Sequence, residues 1–288
     1  MTKNKGNSCP VPQGILMIIG GKENKGQEPE EKADSKDFER MEILKAFIGL
    51  MKKNKPVLEV ITSASGEGTE AFREYRKLFE ELGVPQIGHI HHGSRKEVGD
   101  PELVERIEKA DGIFFTGGDQ LLLTGLYGGS EFLSRLKQRY ISHPIVIGGT
   151  SAGAMALSTP MIYAGTGADE KLGGEIHITT GLEFVKDVCI DTHFVNRGRF
   201  VRMAQVIVTN PTCIGLGIEE DTALVVRHGL EGEVIGSGII IVIEGFHIGD
   251  SNLADFAAHK PVSIHNLKVH LIVKGEKYKI PQLNPPHI

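Results

Sequence analysis

The chain has 288 residues with 40% apolar and 24% charged side chains, and its formal net charge of −5 argues against a nucleic-acid-binding protein. This length suits one large α/β domain, for which we expect residues 14–288, behind a flexible tail at residues 1–13. The tail lacks a secretory signal, no run approaches ~18 apolar residues, and three widely spaced cysteines make no disulfide framework, so we expect a cytoplasmic protein that does not bind membranes.

Strands and helices alternate through the first half of the chain. Short apolar or β-rich runs predict strands at residues 15–19, 57–61, 87–91, 112–115 and 144–147. Apolar residues at helical spacing predict helices at residues 38–51, 72–82, 103–107 and 121–140. This alternation is typical of a parallel sheet that is covered by helices on both faces. The ligand crevice of such a sheet lies beyond the carboxyl ends of its strands.

The second half of the chain is richer in β structure. A strand at 188–194 and a helix at 197–208 precede short β segments at 213–218, 222–227, 233–243 and 267–273. We interpret these segments as sheet extensions and hairpins on the same domain. In the first half, the charged segment 22–36 is predicted to be a solvated loop or lid.

The strongest local signal lies at residues 145–157, where a buried strand runs into a G-x-S-x-G turn and then a helix-forming stretch. This is the setting of a nucleophile elbow, in which Gly149 and Gly153 let strand and helix cross closely and Ser151 is presented for attack. The amide of Ala152, at the start of the helix, is available to an oxyanion. The alternative is a glycine-rich turn whose serine only caps the helix.

A serine nucleophile needs a base and an acid that orients the base. His193 is the best base among 12 histidines, because it follows a β-rich run and can lie at the carboxyl edge of the sheet. The acid candidates are three adjacent carboxylates at residues 219–221. Spacing alone does not separate them, although strand alternation sends Glu219 and Glu220 to opposite faces.

Three guanidinium groups follow His193 directly, on Arg197, Arg199 and Arg202. Arg199 and Arg202 are three residues apart and can share one helix face. Guanidinium groups bind carboxylates with two hydrogen bonds, so the cluster is a candidate site for a substrate carboxylate. The alternative is a solvated basic helix start.

Four segments together resemble the cyanophycinases, which belong to the serine peptidase family that also holds the aspartyl dipeptidases. They are Gly-Gly-Thr-Ser-Ala-Gly-Ala at 148–154, Asp-x-His-Phe with Arg-Gly-Arg at 191–199, Phe-Thr-Gly-Gly-Asp-Gln at 115–120 and Gly-Ile-Glu-Glu-Asp-Thr-Ala at 217–223. The resemblance implies a class I glutamine-amidotransferase-like α/β fold, a three-layer sandwich with a mostly parallel sheet and extra β hairpins in its C-terminal part. It also implies a triad with Ser151 as nucleophile, His193 as base and Glu220 as acid.

The implied substrate is cyanophycin, a poly-aspartate backbone that carries arginine on its side-chain carboxyl groups, and the implied product is β-aspartyl-arginine. By the same resemblance the amides of Gly118 and Ala152 form the oxyanion hole, no metal or organic cofactor takes part, and the enzyme is a homodimer. Thr192 stands where a member of this family has a glutamine that contacts the substrate. The residues implied to bind substrate are Asp119, Gln120, Asp191, Thr192, Arg197, Arg199 and Arg202.

Two other functions stay open on the sequence. One is an aspartyl dipeptidase that acts on small Asp-X peptides, and the other is a catalytically silent homologue that binds an acidic peptide or polymer. Two further patterns do not indicate a ligand site, and we interpret the histidines at 89–92 as a solvated strand end. His89 and His91 would share a strand face without the partner motif of a metal site, and Gly20-Gly21-Lys22 lacks the glycine spacing of a phosphate-binding loop. We interpret Gly20-Gly21 as a turn at the edge of the site.

Overall fold

The computed structural model describes residues 10–26, 39–165, 176–252 and 263–281. Within these ranges the strands are β1 (Ile15–Ile19), β2 (Val57–Ile61), β3 (Gln86–Ile90), β4 (Gly112–Phe115), β5 (Val146–Thr150), β6 (Ser158–Thr159), β7 (Met161–Ala164), β8 (His177–Thr179), β9 (Val185–Lys186), β10 (Val188–Thr192), β11 (Ile214–Ile218), β12 (Thr222–Arg227), β13 (Glu231–Gly236), β14 (Ile239–Glu244), β15 (Lys268–Val273) and β16 (Lys277–Lys279). The helices are α1 (Glu42–Leu50), α2 (Gly68–Glu81), α3 (Pro101–Lys109), α4 (Gln120–Tyr127), α5 (Glu131–Ser142), α6 (Ala152–Ala156) and α7 (Phe200–Thr209).

The larger sheet has eight strands in the order β16-β13-β12-β1-β5-β4-β2-β3. Its five strands from β1 to β3 in this order run parallel, and β12, β13 and β16 extend the sheet in antiparallel pairing. Side chains of β1 alternate between the two faces, with Leu16 and Ile18 in one buried cluster and Met17 and Ile19 in the other. The carboxyl ends of the five parallel strands therefore meet at one edge, as the sequence predicts.

A second sheet has six strands in the order β15-β14-β11-β10-β6-β9, with β10 and β11 parallel. The sequence predicts extensions and hairpins here but not a separate sheet. The predicted strand at 233–243 is in fact two strands, because Gly236 has a φ of +95° and the chain turns through Ser237. β13 stays on the larger sheet, whereas β14 joins the second sheet. A short pair of strands, β7 and β8, stands apart from both.

Helices cover the larger sheet on both faces. α1 and α2 contribute Phe47 and Phe79 to the buried cluster on one face, and α3 and α5 contribute Ile107 and Leu136 to the cluster on the other. The cluster that contains Ile107 and Leu136 continues into the second sheet and α7. The predicted α/β class is thereby confirmed. In the described part of the chain, no helix has the length and apolar character to cross a membrane.

The predicted helix at 121–140 is two helices, α4 and α5. Gly128 and Gly129 separate them, and Gly129 has a φ of +66°. Ser130 then begins α5, because its Oγ accepts a hydrogen bond of 3.1 Å from the amide of Leu133. Periodicity alone did not reveal this break, although the Gly-Gly-Ser sequence is a typical end and start of helices.

Candidate active site

Ser151 lies in the sharp turn between β5 and α6, with a φ of 52° and a ψ of −116°. A non-glycine residue seldom adopts a positive φ, and such strain is common at functional sites. The amide of Ser151 donates 3.1 Å to the carbonyl of Ile19, which fixes the turn to the end of β1. A Cβ at Gly149 would lie 2.5 Å from the carbonyl oxygen of Gly153, so the close crossing of strand and helix excludes a side chain there. This turn has the geometry of the predicted elbow.

The structure brings Ser151, His193 and Glu220 into one chain of hydrogen bonds. Ser151 Oγ lies 3.0 Å from His193 Nε2, and His193 Nδ1 lies 2.6 Å from Glu220 Oε1. His193 follows β10 in a backbone conformation with a φ of 51°, and its amide donates 2.9 Å to the carbonyl of Gly20. Both distances fall within the range for proton transfer between a nucleophile, a base and an orienting acid.

Glu219 and Glu220 lie in the connection between β11 and β12, and their carboxylates point to different partners. Glu219 Oε2 accepts 3.1 Å from the amide of Val195, whereas Glu220 bonds to the imidazole of His193. Glu220 also accepts 2.6 Å from Asn196 Nδ2 on its other oxygen. Strand alternation predicted the divergence of the two carboxylates, and the structure supplies the contact with His193 that spacing could not.

The electrostatics suit a neutral base beside an ionised acid. Burial is the main cause that holds the pKa of His193 below its ordinary value; Glu220 opposes this effect, and the charge of Arg197 adds to it. Burial would raise the pKa of Glu220, but hydrogen bonds from Lys22 and His193 outweigh it and hold that pKa below its ordinary value. A carboxylate only accepts hydrogen bonds, so the proton of neutral His193 lies on Nδ1 and leaves Nε2 free to accept from Ser151.

The turn after β1 forms one wall of the site. Gly21 has a φ of +95°, and a Cβ there would lie 2.5 Å from the imidazole ring of His193. The carbonyl of Gly21 accepts 2.9 Å from the amide of Asp221, beside the acid. This arrangement agrees with the sequence interpretation of Gly20-Gly21 as a turn at the edge of the site.

The next residues contain side chains that sequence reasoning missed. Lys22 Nζ lies 2.9 Å from Glu220 Oε1. Glu23 is 3% exposed and accepts hydrogen bonds from Thr150 Oγ1, at 2.6 Å, and from the hydroxyl of Tyr75. The sequence predicts a solvated loop or lid at 22–36, but Glu23 and Asn24 are buried; residues 27–36 lie outside the described ranges. The sequence feature that could have indicated their burial is the Gly20-Gly21 pair, which turns the chain back onto the edge of the sheet.

The turn after β4 lies beside Ser151, since a Cβ at Gly117 would be 3.4 Å from the Cβ of Ser151. Neither the N–H of Gly118 nor that of Ala152 donates to another described residue, so both are available to an oxyanion. Asp119 and Gln120 have structural partners. Asp119 Oδ1 caps α4 by accepting 2.8 Å from the amide of Leu121, and Gln120 Nε2 donates 2.8 Å to the carbonyl of Ile162.

Two of the three arginines bind a buried carboxylate of the protein itself. Asp191 is fully buried, and its oxygens accept from Arg202 Nε at 2.7 Å, Arg202 Nη2 at 2.6 Å and Arg199 Nη1 at 2.8 Å. Arg199 also donates 2.8 Å to the carbonyl of Thr192. A buried charge needs such pairing, so these three side chains hold each other instead of lying open to a substrate.

Arg197 and Thr192 differ from that group. Arg197 is exposed, close enough to His193 to affect its pKa, and makes no ion pair with any described residue. It is therefore the guanidinium of the cluster that a ligand can reach. Thr192 is 1% exposed, and its hydroxyl has no hydrogen-bond partner in the described structure.

The histidines at the end of β3 form a hydrogen-bonded cluster. Thr62 Oγ1 lies 2.8 Å from His89 Nε2 and 3.0 Å from His91 Nδ1, and the ring of His89 stacks on Phe72 with centroids 4.1 Å apart. The described residues include no group of three His, Cys, Asp or Glu side chains that could hold a metal ion. Their hydrogen bonds to Thr62 and the stacking of His89 on Phe72 tie these histidines to the ends of β2 and β3.

The chain is similar in sequence to known peptidases. A model of peptidase family S51 matches residues 32–231. A cyanophycinase from Geminocystis herdmanii (strain PCC 6308) is 31% identical over 263 residues, which cover 91% of this chain and 92% of the relative. A cyanophycinase from Synechococcus elongatus is also 31% identical, over 268 residues that cover 93% of this chain and 80% of the relative.

The fold is also similar to that of a solved structure. The crystal structure of a peptidase from an acI-B1 Actinobacterium matches with a TM-score of 0.63 and 21% sequence identity, covering 94% of this chain and 98% of that chain. At this identity the likeness concerns the fold alone.

Proposed function

Because the chain belongs to peptidase family S51 and is a serine-type peptidase, we propose that it degrades cyanophycin. In this proposal it cuts the poly-aspartate backbone as an exopeptidase and releases β-aspartyl-arginine. The two cyanophycinases at 31% identity, each matched over more than nine tenths of this chain, support the choice of substrate.

The observation that carries the proposal is the pair of hydrogen bonds that joins Ser151 to His193 and His193 to Glu220, at 3.0 Å and 2.6 Å. The pattern of nucleophile, base and orienting acid is what acyl transfer requires of a serine peptidase. The order of the three residues along the chain matches the order implied by the family resemblance.

In the proposed mechanism His193 Nε2 takes the proton of Ser151 Oγ while this oxygen attacks the scissile carbonyl carbon. The oxyanion that forms accepts hydrogen bonds from the amides of Gly118 and Ala152. Glu220 stabilises the imidazolium, which then gives its proton to the leaving amine as the C–N bond breaks. Water, deprotonated by the same imidazole, hydrolyses the acyl-enzyme and restores Ser151.

Arg197 is the proposed anchor for a substrate carboxylate. Its side chain is exposed beside the base, and within the described ranges it has no carboxylate partner of its own. Cyanophycin offers such a group at the end of its aspartate backbone, and a guanidinium binds it with two parallel hydrogen bonds. The predicted homodimer and the cytoplasmic location stay predictions.

The first prediction concerns the nucleophile. Ser151→Ala removes the attacking oxygen, and we expect it to abolish release of β-aspartyl-arginine from cyanophycin, with a loss on the order of 10⁴-fold or more. Chromatography of the soluble products measures the release. Circular dichroism and the urea midpoint check that the variant is folded. Asp-X dipeptides are assayed in parallel with the wild type. If they are hydrolysed in preference to cyanophycin, the protein is an aspartyl dipeptidase instead.

The matched control is Ser134→Ala, which removes the hydroxyl of an exposed serine on α5. This variant should keep full activity. Turnover by Ser151→Ala at the wild-type rate would contradict the mechanism. Failure of the wild type to hydrolyse either substrate, together with failure of a fluorophosphonate to label Ser151, would favour a catalytically silent binding protein.

A further inference from the structure

We propose that Lys22 is a positioning residue of this site, whose ammonium group holds Glu220 against His193 and whose charge opposes protonation of the base. The proposal rests on the proposed function, because it assigns His193 the role of the base. The proposal extends the site beyond the triad to a residue near the N-terminus of the chain.

The backbone that carries Lys22 is fixed on both sides. Before it, the carbonyls of Gly20 and Gly21 accept hydrogen bonds of 2.9 Å each from the amides of His193 and Asp221. After it, the amide of Asn24 donates 2.8 Å to Asp221 Oδ1. Lys22 itself has a φ of 43°. The turn is therefore tied directly to the base and to Asp221, the residue that follows the acid.

Glu23 completes the anchoring of this turn. Its buried carboxylate accepts from Thr150 Oγ1, at 2.6 Å, and from the hydroxyl of Tyr75 on α2. Thr150 directly precedes the nucleophile. A turn held by the elbow on one side and by the segment of the acid on the other fixes the backbone of Lys22 beside Glu220.

The ammonium and the imidazole meet the same oxygen atom. Lys22 Nζ lies 2.9 Å and His193 Nδ1 lies 2.6 Å from Glu220 Oε1, while Asn196 Nδ2 binds Oε2 at 2.6 Å. The carboxylate is thus held by three donors, and two of them share one oxygen. Such a fork limits rotation of Glu220 about its side-chain bonds, so that the hydrogen bond to His193 keeps its direction.

The positive charge has a second effect, on the protonation of the base. Glu220 favours the imidazolium form of His193, whereas Arg197 and Arg199, from the segment after the base, oppose it. From the β1 turn, Lys22 neutralises part of the charge of Glu220 and adds a third cation close to the ring. Removal of Lys22 should therefore raise the pKa of His193. Because a protonated His193 cannot act as a base, the variant should lose activity at a higher pH than the wild type does when the solution is acidified.

The test is the pH profile of kcat/KM on cyanophycin for the wild type and Lys22→Met. Methionine keeps the length of the side chain without its charge, and Lys22 is 69% exposed, so the fold is not at risk. We expect the acid limb to move up by roughly half a pH unit, or about threefold lower kcat/KM in that limb, a size typical of an exposed ion pair. Lys22→Arg keeps the positive charge, so the acid limb of its pH profile should lie at the wild-type pH.

Lys25→Met is the matched control. Lys25 lies on the same turn and loses the same charge, but it pairs with Glu74 at 3.0 Å and lies over the ring of Tyr75 instead of contacting Glu220. Its acid limb should stay at the wild-type pH. The proposal is overturned when Lys22→Met leaves the limb in place, or when both variants move it equally.

A direct titration separates this proposal from the choice of substrate. The Hε1 proton of His193, assigned by its absence in His193→Gln, reports the pKa of the imidazole by NMR without any turnover. A higher pKa in Lys22→Met than in the wild type supports the role of Lys22, even if neither cyanophycin nor Asp-X dipeptides are cleaved. An unchanged pKa overturns it, whichever substrate the enzyme proves to use.

Discussion

Asp191 is fully buried two residues before the base, where a lone carboxylate would be very unfavourable. Arg202, 4% exposed, gives it two hydrogen bonds, and Arg199 gives it a third while also holding the carbonyl of Thr192. The ion cluster therefore fixes the segment that carries His193. The sequence showed arginines that could bind a carboxylate, but it could not show that a carboxylate of this same chain folds against two of them.

Asp191→Asn tests this role. The variant leaves Arg202 buried without its counter-charge, and we expect the free energy of unfolding to fall by about 3–5 kcal/mol. Urea denaturation followed by circular dichroism measures the change. Glu233→Gln is the control, because the pair of Glu233 with Arg227 is more than a third exposed and should contribute no more than about 1 kcal/mol. Equal losses in the two variants would contradict the structural role of Asp191.

The site is assembled from the ends of strands. β5 ends at the nucleophile, β4 ends at the turn of Gly118, and β1 ends at Gly20 and Gly21, which bind the segments of the base and the acid. Buried strands that run into glycine turns were visible in the sequence, so β1, β2 and β4 have the predicted bounds. This is why the edge of the sheet could be predicted.

The turn after β1 gives a prediction at this scale. Gly21→Ala places a methyl group against the imidazole of His193, and we expect kcat/KM to fall on the order of 10–100-fold as the ring is displaced. Gly83→Ala is the control, because Gly83 has a similar φ of +87° and open space around it. Both variants should lose about 1–2 kcal/mol of stability from the backbone alone. Equal activity in the two would show that the contact with His193 has no consequence.

The second sheet was beyond the reach of local patterns. β10 and β11 pair across more than twenty residues, and β13 and β14 are neighbours in the chain that belong to different sheets. Apolar alternation predicts a strand but does not identify the partner of that strand. Local sequence patterns do not contain the pairing between strands that are distant in the chain, because this pairing depends on how the whole core packs.

Glu244 lies where the two sheets meet. Its carboxylate, on β14, accepts 2.9 Å from Lys268 Nζ and 2.9 Å from His270 Nε2 on β15. Tyr278 on β16, in the larger sheet, donates 3.4 Å to the same group. Burial opposes ionisation of Glu244, but the bonds from Lys268 and His270 prevail and its pKa lies below the ordinary value.

The sign of this shift gives a prediction for acid unfolding. A depressed carboxyl pKa contributes stability that is present above the unfolded-state pKa of about 4.3 and is lost as the pH falls through the lower, folded-state pKa. The wild type should therefore lose more stability between neutral pH and pH values below about 4 than Glu244→Gln does. Urea midpoints across this range measure both slopes. Parallel slopes would mean that Glu244 takes no part in acid unfolding.

Ser151 follows a strand of the larger sheet, His193 follows a strand of the second sheet, and Glu220 lies on the connection between the two sheets. The reactive distances therefore exist only while the two sheets are docked in register. A slip of about 1 Å between the sheets would separate the serine from its base, although every strand kept its own pairing. Hydrolysis rates thus report on inter-sheet alignment, and inactivation on heating should precede the loss of secondary structure.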